Sequence, residues 1–108
     1  MVDESRVAAL LEILNNIPDD AFARYALGLE YSGAGETDAA LRQFDLLLKA
    51  HPEYTNGYFM AAQVLERAGR VGESREMLHK GIDCARQTNN RHALSEMEAM
   101  LDQLQGVE

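Results

Sequence analysis

Residues of similar type recur at an interval of 34 along most of the chain. Pro18 lies 34 residues before Pro52, and Gly35 lies 34 residues before Gly69. The same interval joins two apolar series, which are Leu10, Phe44 and Leu78, and Leu14, Leu48 and Ile82. A fixed period of this length, filled with helical patterns, is typical of stacked helix-turn-helix units. The period therefore limits the chain to a helical repeat architecture.

Apolar side chains also recur at helical spacing within each segment. Val7, Leu10, Leu11 and Leu14 fall at i, i+3, i+4 and i+7, which places them on one stripe of a first helix. Proline, glycine or polar clusters separate the segments, and the sequence has no alternating strand pattern. The sequence thus predicts an all-α chain of about six helices, over roughly residues 3–16, 20–32, 38–51, 56–68, 72–86 and 91–104.

Residues 19–52 carry a more specific pattern within this period. Its members are Leu27, Gly28, Tyr31, Ala40, Phe44 and Pro52. These residue types at these spacings resemble the tetratricopeptide repeat (TPR), with Arg24 in the place of the usual Trp. Residues 53–86 resemble a second, more degenerate repeat, in which Arg86 replaces the closing Pro.

The resemblance implies one domain over residues 1–108, an all-α stack of antiparallel helix-turn-helix repeats forming a short right-handed solenoid. A helix at 3–18 precedes the first repeat (19–52), and a helix at 89–105 follows the second (53–86). Each repeat leaves an apolar face that a neighbour must cover. Because the last helix has a polar outer face, we expect it to cap the stack.

The two helices of a repeat must approach closely where they cross, which favours small residues at that level. We expect Gly28 to face Ala40, and Ala62 to face Ser74 in the second repeat. Phe44 would then fill the space beside the first crossing as a core residue.

Charge and composition exclude several classes of partner. The formal net charge is −8, so the chain has no basic surplus with which to bind nucleic acid or an anionic membrane. No apolar run approaches the length of about 18 residues that a bilayer-spanning helix needs, and the acidic start lacks the apolar core of a signal peptide. The single cysteine, Cys84, cannot form an internal disulfide, which favours a reducing cytoplasm.

Motifs for chemistry are incomplete. Gly28, Gly33 and Gly35 are not followed by the Lys-Ser or Lys-Thr of a phosphate-binding loop. His79 and Asp83 are one helical turn apart, but two ligands do not make a metal site. No Ser, His and acid have the spacing of a catalytic triad. We therefore expect a protein that is not an enzyme and that needs no cofactor or metal.

The second helix is apolar on more of its surface than the repeat core requires. The residues offset from its core stripe are Phe22, Tyr25 and Leu29, and their counterparts on the fourth helix are Asn56, Phe59 and Gln63. In the TPR family, the first helices of successive repeats line a concave groove that holds a peptide. The resemblance therefore implies that these six residues bind a protein or peptide partner. The alternative is that the aromatic side chains only pack between neighbouring helices.

Two further alternatives remain at this level. Basic and amide side chains hold acidic peptide tails in one TPR sub-family, but Tyr25, Leu29 and Met60 occupy those places here, which argues against that ligand. The chain could instead be a structural subunit that self-associates weakly through Leu41, Leu46 or an end face.

Overall fold

The computed structural model describes residues 2–106. Within that part of the chain the regular structure is helical throughout, with no strand. The helices are α1 (Glu4–Asn16), α2 (Ala21–Gly33), α3 (Thr37–Ala50), α4 (Thr55–Arg67), α5 (Val71–Gln87) and α6 (Arg91–Gln105). Every predicted helix is confirmed, and the six predicted helical ranges agree with the observed ends to within one residue. The predicted segments 3–18 and 89–105 run two residues past the end of α1 and begin two residues before α6, respectively. None of these helices has both the length and the apolar content of a membrane span.

Side-chain caps and left-handed residues explain where several helices begin and end. The Asp20 carboxylate accepts a hydrogen bond of 2.9 Å from the backbone N–H of Ala23 and so caps α2. Asn90 caps α6 in the same way, through the N–H of Ala93 at 3.1 Å. Gly35 has a φ of +76° and thus turns the chain between α2 and α3 at low steric cost.

The helices form two compact units. Unit 1 (Met1–His51) contains α1, α2 and α3, and unit 2 (Pro52–Glu108) contains α4, α5 and α6. In unit 1, α2 packs against both α1 and α3. In unit 2, α5 packs against both α4 and α6, which also meet each other over a smaller area. The prediction of a single domain over residues 1–108 stays a prediction.

The core of unit 1 forms where α2 crosses α3. Leu27, Ala40 and Leu47 are fully buried, and Phe44 is 1% exposed. A Cβ atom built on Gly28 would lie 2.5 Å from Cε1 of Phe44. The three atoms nearest to a side chain on Gly28 therefore all belong to the Phe44 ring.

The corresponding crossing in unit 2 uses smaller side chains and a hydrogen bond. Ala62 and Leu78 are fully buried where unit 1 has Gly28 and Phe44. The Ser74 hydroxyl is also fully buried and donates a hydrogen bond of 2.7 Å to the backbone carbonyl of Ala62, in agreement with the predicted contact. This hydrogen bond offsets the free-energy cost of burying the hydroxyl.

A second close approach lies between α5 and both of its neighbours in unit 2. A Cβ atom on Gly81 would lie 2.5 Å from Sδ of Met97 in α6 and 2.7 Å from Cβ of Tyr58 in α4. Met97 is fully buried, and Ala93 and Leu104 are nearly so. Helix α6 thus packs on α5 through Met97.

The buried stripe of α6 differs in detail from the predicted one. The spacing of Leu94, Met97, Leu101 and Leu104 predicts that these four residues form the inner stripe of α6. Leu94 and Leu101 are only half-buried, and Ala93 lies inside instead. Nη2 of Arg75 in α5 donates a hydrogen bond of 2.8 Å to the carbonyl of Leu104 and so holds the last turn of α6.

Candidate functional site

Three predicted site residues lie along α2 in unit 1. Phe22, Tyr25 and Leu29 are spaced at i, i+3 and i+7, and this spacing places them on one side of the helix. Phe22 is 65% exposed and Leu29 is 37% exposed. A phenylalanine this exposed on a well-packed helix offers a large apolar surface to a partner.

Tyr25 has a mixed role. Its side chain is half-buried, and its ring centroid lies 6.2 Å from that of Phe44 with the rings tilted by 59°. This distance and angle suit a favourable aromatic pair. Tyr25 therefore packs on the edge of the unit 1 core while part of its surface remains accessible.

The other three predicted residues lie on α4 in unit 2 and are not all in one place. Phe59 and Gln63 are half-buried and line a groove of about 370 Å³ between α4 and α6. Asn56 is exposed and belongs to a separate depression near the start of α4, beside Thr88 and Asn90. The structure thus brings Phe59 and Gln63 together but not Asn56.

The packing of the three helices explains the α4–α6 groove. Helix α5 supports both α4 and α6, while α4 and α6 touch each other over a smaller area. Its walls are Phe59, Gln63 and Glu66 from α4, and Glu96, Ala99, Met100 and Gln103 from α6. Each wall residue has another one three or four positions away, so the residues lie on one side of their helix over a length of about 10 Å.

The walls of the α4–α6 groove combine apolar side chains with acidic and amide side chains. Its apolar members are Phe59, Ala99 and Met100, and its ionisable members are Glu66 and Glu96. Oε1 of Glu96 lies 3.2 Å from Nε2 of His92, which forms an ion pair only when the imidazole is protonated. Among the described residues that line the groove, none is a lysine or an arginine.

Comparison with known proteins identifies the family. A tetratricopeptide repeat domain protein of Salinibacter ruber, known from a solution NMR structure, is 30% identical to this chain, with a TM-score of 0.79 over 84% of this chain and 92% of that one. The chain belongs to the tetratricopeptide repeat family. A crystal structure of a TPR domain protein from the same organism is 29% identical, with a TM-score of 0.77 over 82% of this chain and 99% of that one.

A more distant relative agrees with this assignment. A TPR repeat-containing protein of Pseudomonas aeruginosa is 24% identical over 98 residues, which are 91% of this chain and 93% of that protein. No protein-family model matches the chain. TPR folds generally mediate protein–protein interactions and generally act as non-catalytic scaffolds.

The TPR period also shows how the α6 wall could have been found from sequence. Ala93 and Met97 stand 34 residues after Phe59 and Gln63, so α6 occupies the place of the first helix of a further repeat. Our prediction treated the polar side of α6 only as a solvated cap. It therefore missed Glu96 and Met100, which face the same groove as Phe59.

Two buried side chains of this TPR chain, Cys84 and Tyr58, make polar contacts within unit 2. The Cys84 thiol is buried and lies 3.2 Å from Oγ1 of Thr55. The Tyr58 hydroxyl donates a hydrogen bond of 2.7 Å to the carbonyl of Pro52, and burial raises the pKa of Tyr58. Within residues 2–106, no cluster of three or more His, Cys, Asp or Glu side chains could hold a metal ion.

Proposed function

We propose that this chain is a protein-binding scaffold. It holds a peptide segment of its partner on apolar surfaces of α2 and α4, which are the first helices of the two repeats. In unit 1 the surface is formed by Phe22, Tyr25 and Leu29 of α2. In unit 2 it is formed by Phe59 and Gln63 of α4, with Asn56 at its edge. No covalent chemistry and no cofactor form part of the proposal, and its setting is the cytoplasm.

The exposure of Phe22 is the observation that carries the proposal. Burial of this side chain would contribute favourable free energy, yet 65% of it remains in water. Large apolar side chains that stay exposed beside a second aromatic residue are typical of interaction sites, where a few such anchors supply most of the binding energy. Tyr25 and Leu29 continue the same side of α2 and enlarge this surface.

The test is a quantitative pull-down from cell lysate, followed by affinity measurements with each purified candidate partner. Three forms of the full chain are compared: wild type, Tyr25→Ala/Phe59→Ala, and a control, Leu11→Ala. Leu11 is 49% exposed but lies on α1, outside the proposed surfaces. We expect a partner that the double variant loses and the control retains. Equal recovery and equal affinity with all three forms would overturn the proposal.

Self-association is the second candidate function, and the exposure of unit 1 favours it. Leu11 and Ile17 are 49% and 56% exposed, so α1 and the turn that follows it also present apolar surface. Leu41 and Leu46, the residues first considered for this role, are half-buried. Sedimentation equilibrium distinguishes the two functions, because self-association raises the mean mass with concentration in the absence of any partner. Leu11→Ala should then lower the association constant.

A further inference from the structure

We infer that the α4–α6 groove of unit 2 takes a peptide segment in which an apolar side chain is flanked by lysine or arginine. This inference rests on the proposed function and specifies the chemistry of its ligand. It follows from the apolar side chains, the carboxylates and the amides that line the groove.

The apolar lining of the groove determines the central side chain of the ligand. Phe59 contributes an aromatic ring, Met100 a flexible thioether, and Ala99 a small methyl group. Methionine adapts its shape to what packs against it. A pocket of this composition suits one medium or large apolar side chain, such as leucine, methionine or phenylalanine.

The charges determine what flanks that side chain. Glu66 lies in the last turn of α4, and Glu96 lies in the second turn of α6. Consecutive helices joined by short turns run antiparallel, so α4 and α6 run in the same direction. The two carboxylates therefore lie toward opposite ends of the groove, where they attract one cationic side chain each. An acidic ligand would be repelled by both.

The remaining polar wall residues suit a peptide backbone. Gln63 and Gln103 come from opposite walls, and each amide side chain can both donate and accept a hydrogen bond. A peptide lying along the groove presents N–H and C=O groups to both. The groove length of about 10 Å corresponds to roughly three extended residues, which matches an apolar residue with one cation on each side.

The experiment uses three synthetic peptide pools of equal length added to the full chain. Each pool has a central position randomised over Leu, Met and Phe, flanked by Lys/Arg, by Gln/Ser or by Asp/Glu. Binding is followed by NMR of the methionine methyl groups, since Met100 lines the groove and Met77 of α5 does not. We expect the cationic pool to shift the Met100 methyl signal and bind most tightly, with little change at Met77.

Variants separate a local charge effect from the overall charge of −8. Glu66→Gln/Glu96→Gln should weaken the cationic pool roughly tenfold, as two partly screened ion pairs allow. The control Glu76→Gln/Asp83→Asn removes the same charge from exposed positions on α5 and should weaken binding much less. Equal weakening by both double variants would overturn the inference.

Two other results have different meanings. If the neutral pool shifts Met100 as strongly and binds as tightly as the cationic pool, the charge preference is wrong while peptide binding stands. If no pool shifts Met100, the groove is not a ligand site, and the inference fails with that part of the proposed function. Phe59→Ala should weaken every pool that binds there.

Discussion

The ring of Phe44 occupies the space that a side chain on Gly28 would need, since a Cβ atom there would lie 2.5 Å from the ring carbon Cε1. In unit 2 the same two places of the repeat hold Ala62 and Leu78, both fully buried. Unit 1 thus packs its crossing with a large ring against a glycine, and unit 2 packs its crossing with a leucine and an alanine side chain.

The first prediction concerns this crossing. Gly28→Ala should destabilise the protein by about 1–2 kcal/mol, because overpacking costs more than the helix propensity gained. In a Phe44→Leu background the same change should become neutral or stabilising by up to about 1 kcal/mol, since the ring is gone. Urea unfolding of the four forms gives both values. Gly33→Ala is the control, because nothing lies within 4 Å of its Cβ position. Additive effects of the two substitutions would contradict the prediction.

The second prediction compares one substitution at two sites. Phe44→Ala should cost about 3–5 kcal/mol by leaving a cavity in the unit 1 core, a large part of the ~5–15 kcal/mol typical of a domain. Phe22→Ala removes the same atoms from an exposed position and should change the free energy of unfolding by less than about 0.5 kcal/mol. Equal midpoints for wild type and Phe44→Ala in chemical denaturation would show that Phe44 is not a core residue.

The third prediction concerns Tyr25. Tyr25→Ala should weaken binding of a genuine partner by about 1–3 kcal/mol, within the range of interface anchors. It should also destabilise unit 1, but less than Phe44→Ala does, because Tyr25 is half-buried beside Phe44. Calorimetric titration and thermal unfolding of the same sample provide the two numbers. Tyr25→Phe retains the ring and its contact with Phe44, and should therefore be more stable than Tyr25→Ala.

The fourth prediction concerns α6. Deleting Arg91–Glu108 removes Met97 from its place against Gly81 and exposes the apolar face of α5. The truncated chain should aggregate or lose cooperative unfolding. A milder variant, Met97→Asp, places a charge in the same fully buried position and should produce the same loss. A monomeric truncation with unchanged helicity per residue would show that α6 is not required as a cap.

The fifth prediction concerns acid. Glu30 in α2 accepts hydrogen bonds from the backbone N–H of Asp3 at 2.9 Å and from Nε of Arg6 at 3.2 Å, and so joins α1 to α2. The Asp3 N–H, followed by Arg6, lowers the pKa of Glu30 below its ordinary value. The stabilisation is therefore present above the unfolded pKa of about 4.3 and is lost as the pH falls through the folded value.

The measurement for this fifth prediction is the stability difference between wild type and Glu30→Gln as a function of pH. The difference should be constant near neutrality and shrink below about pH 4.3. Glu73→Gln is the control, because Arg70 also lowers the pKa of Glu73 but the two residues lie at the start of one helix. Loss of the Glu73–Arg70 ion pair in acid should not release α1 from α2. If the stability difference between wild type and Glu30→Gln persists unchanged into acid, the ionised Glu30 carboxylate does not stabilise the contact between α1 and α2.

Helix positions were predictable because local signals agreed with the long period. Pro18 and Pro52 follow the ends of α1 and α3, which a proline could not continue, and Gly35 and Gly69 supply positive φ at the turns. The close contact between Gly28 and the Phe44 ring was not predictable, since residue spacing does not show how far the ring reaches. The wall of the α4–α6 groove was missed for a similar reason. The sequence around Glu96 and Met100 does not show that α4 lies opposite them, so they resemble residues that face only water.

Cys84 gives the chain an internal reporter. Its thiol is buried among unit 2 residues and contacts Thr55, and the sequence has no other cysteine. An alkylating reagent can reach the thiol only when unit 2 opens locally, so the labelling rate measures how often that happens. Unit 1 contributes no thiol to this signal. The stability of one half of the molecule can thus be followed in the intact chain without introducing any substitution.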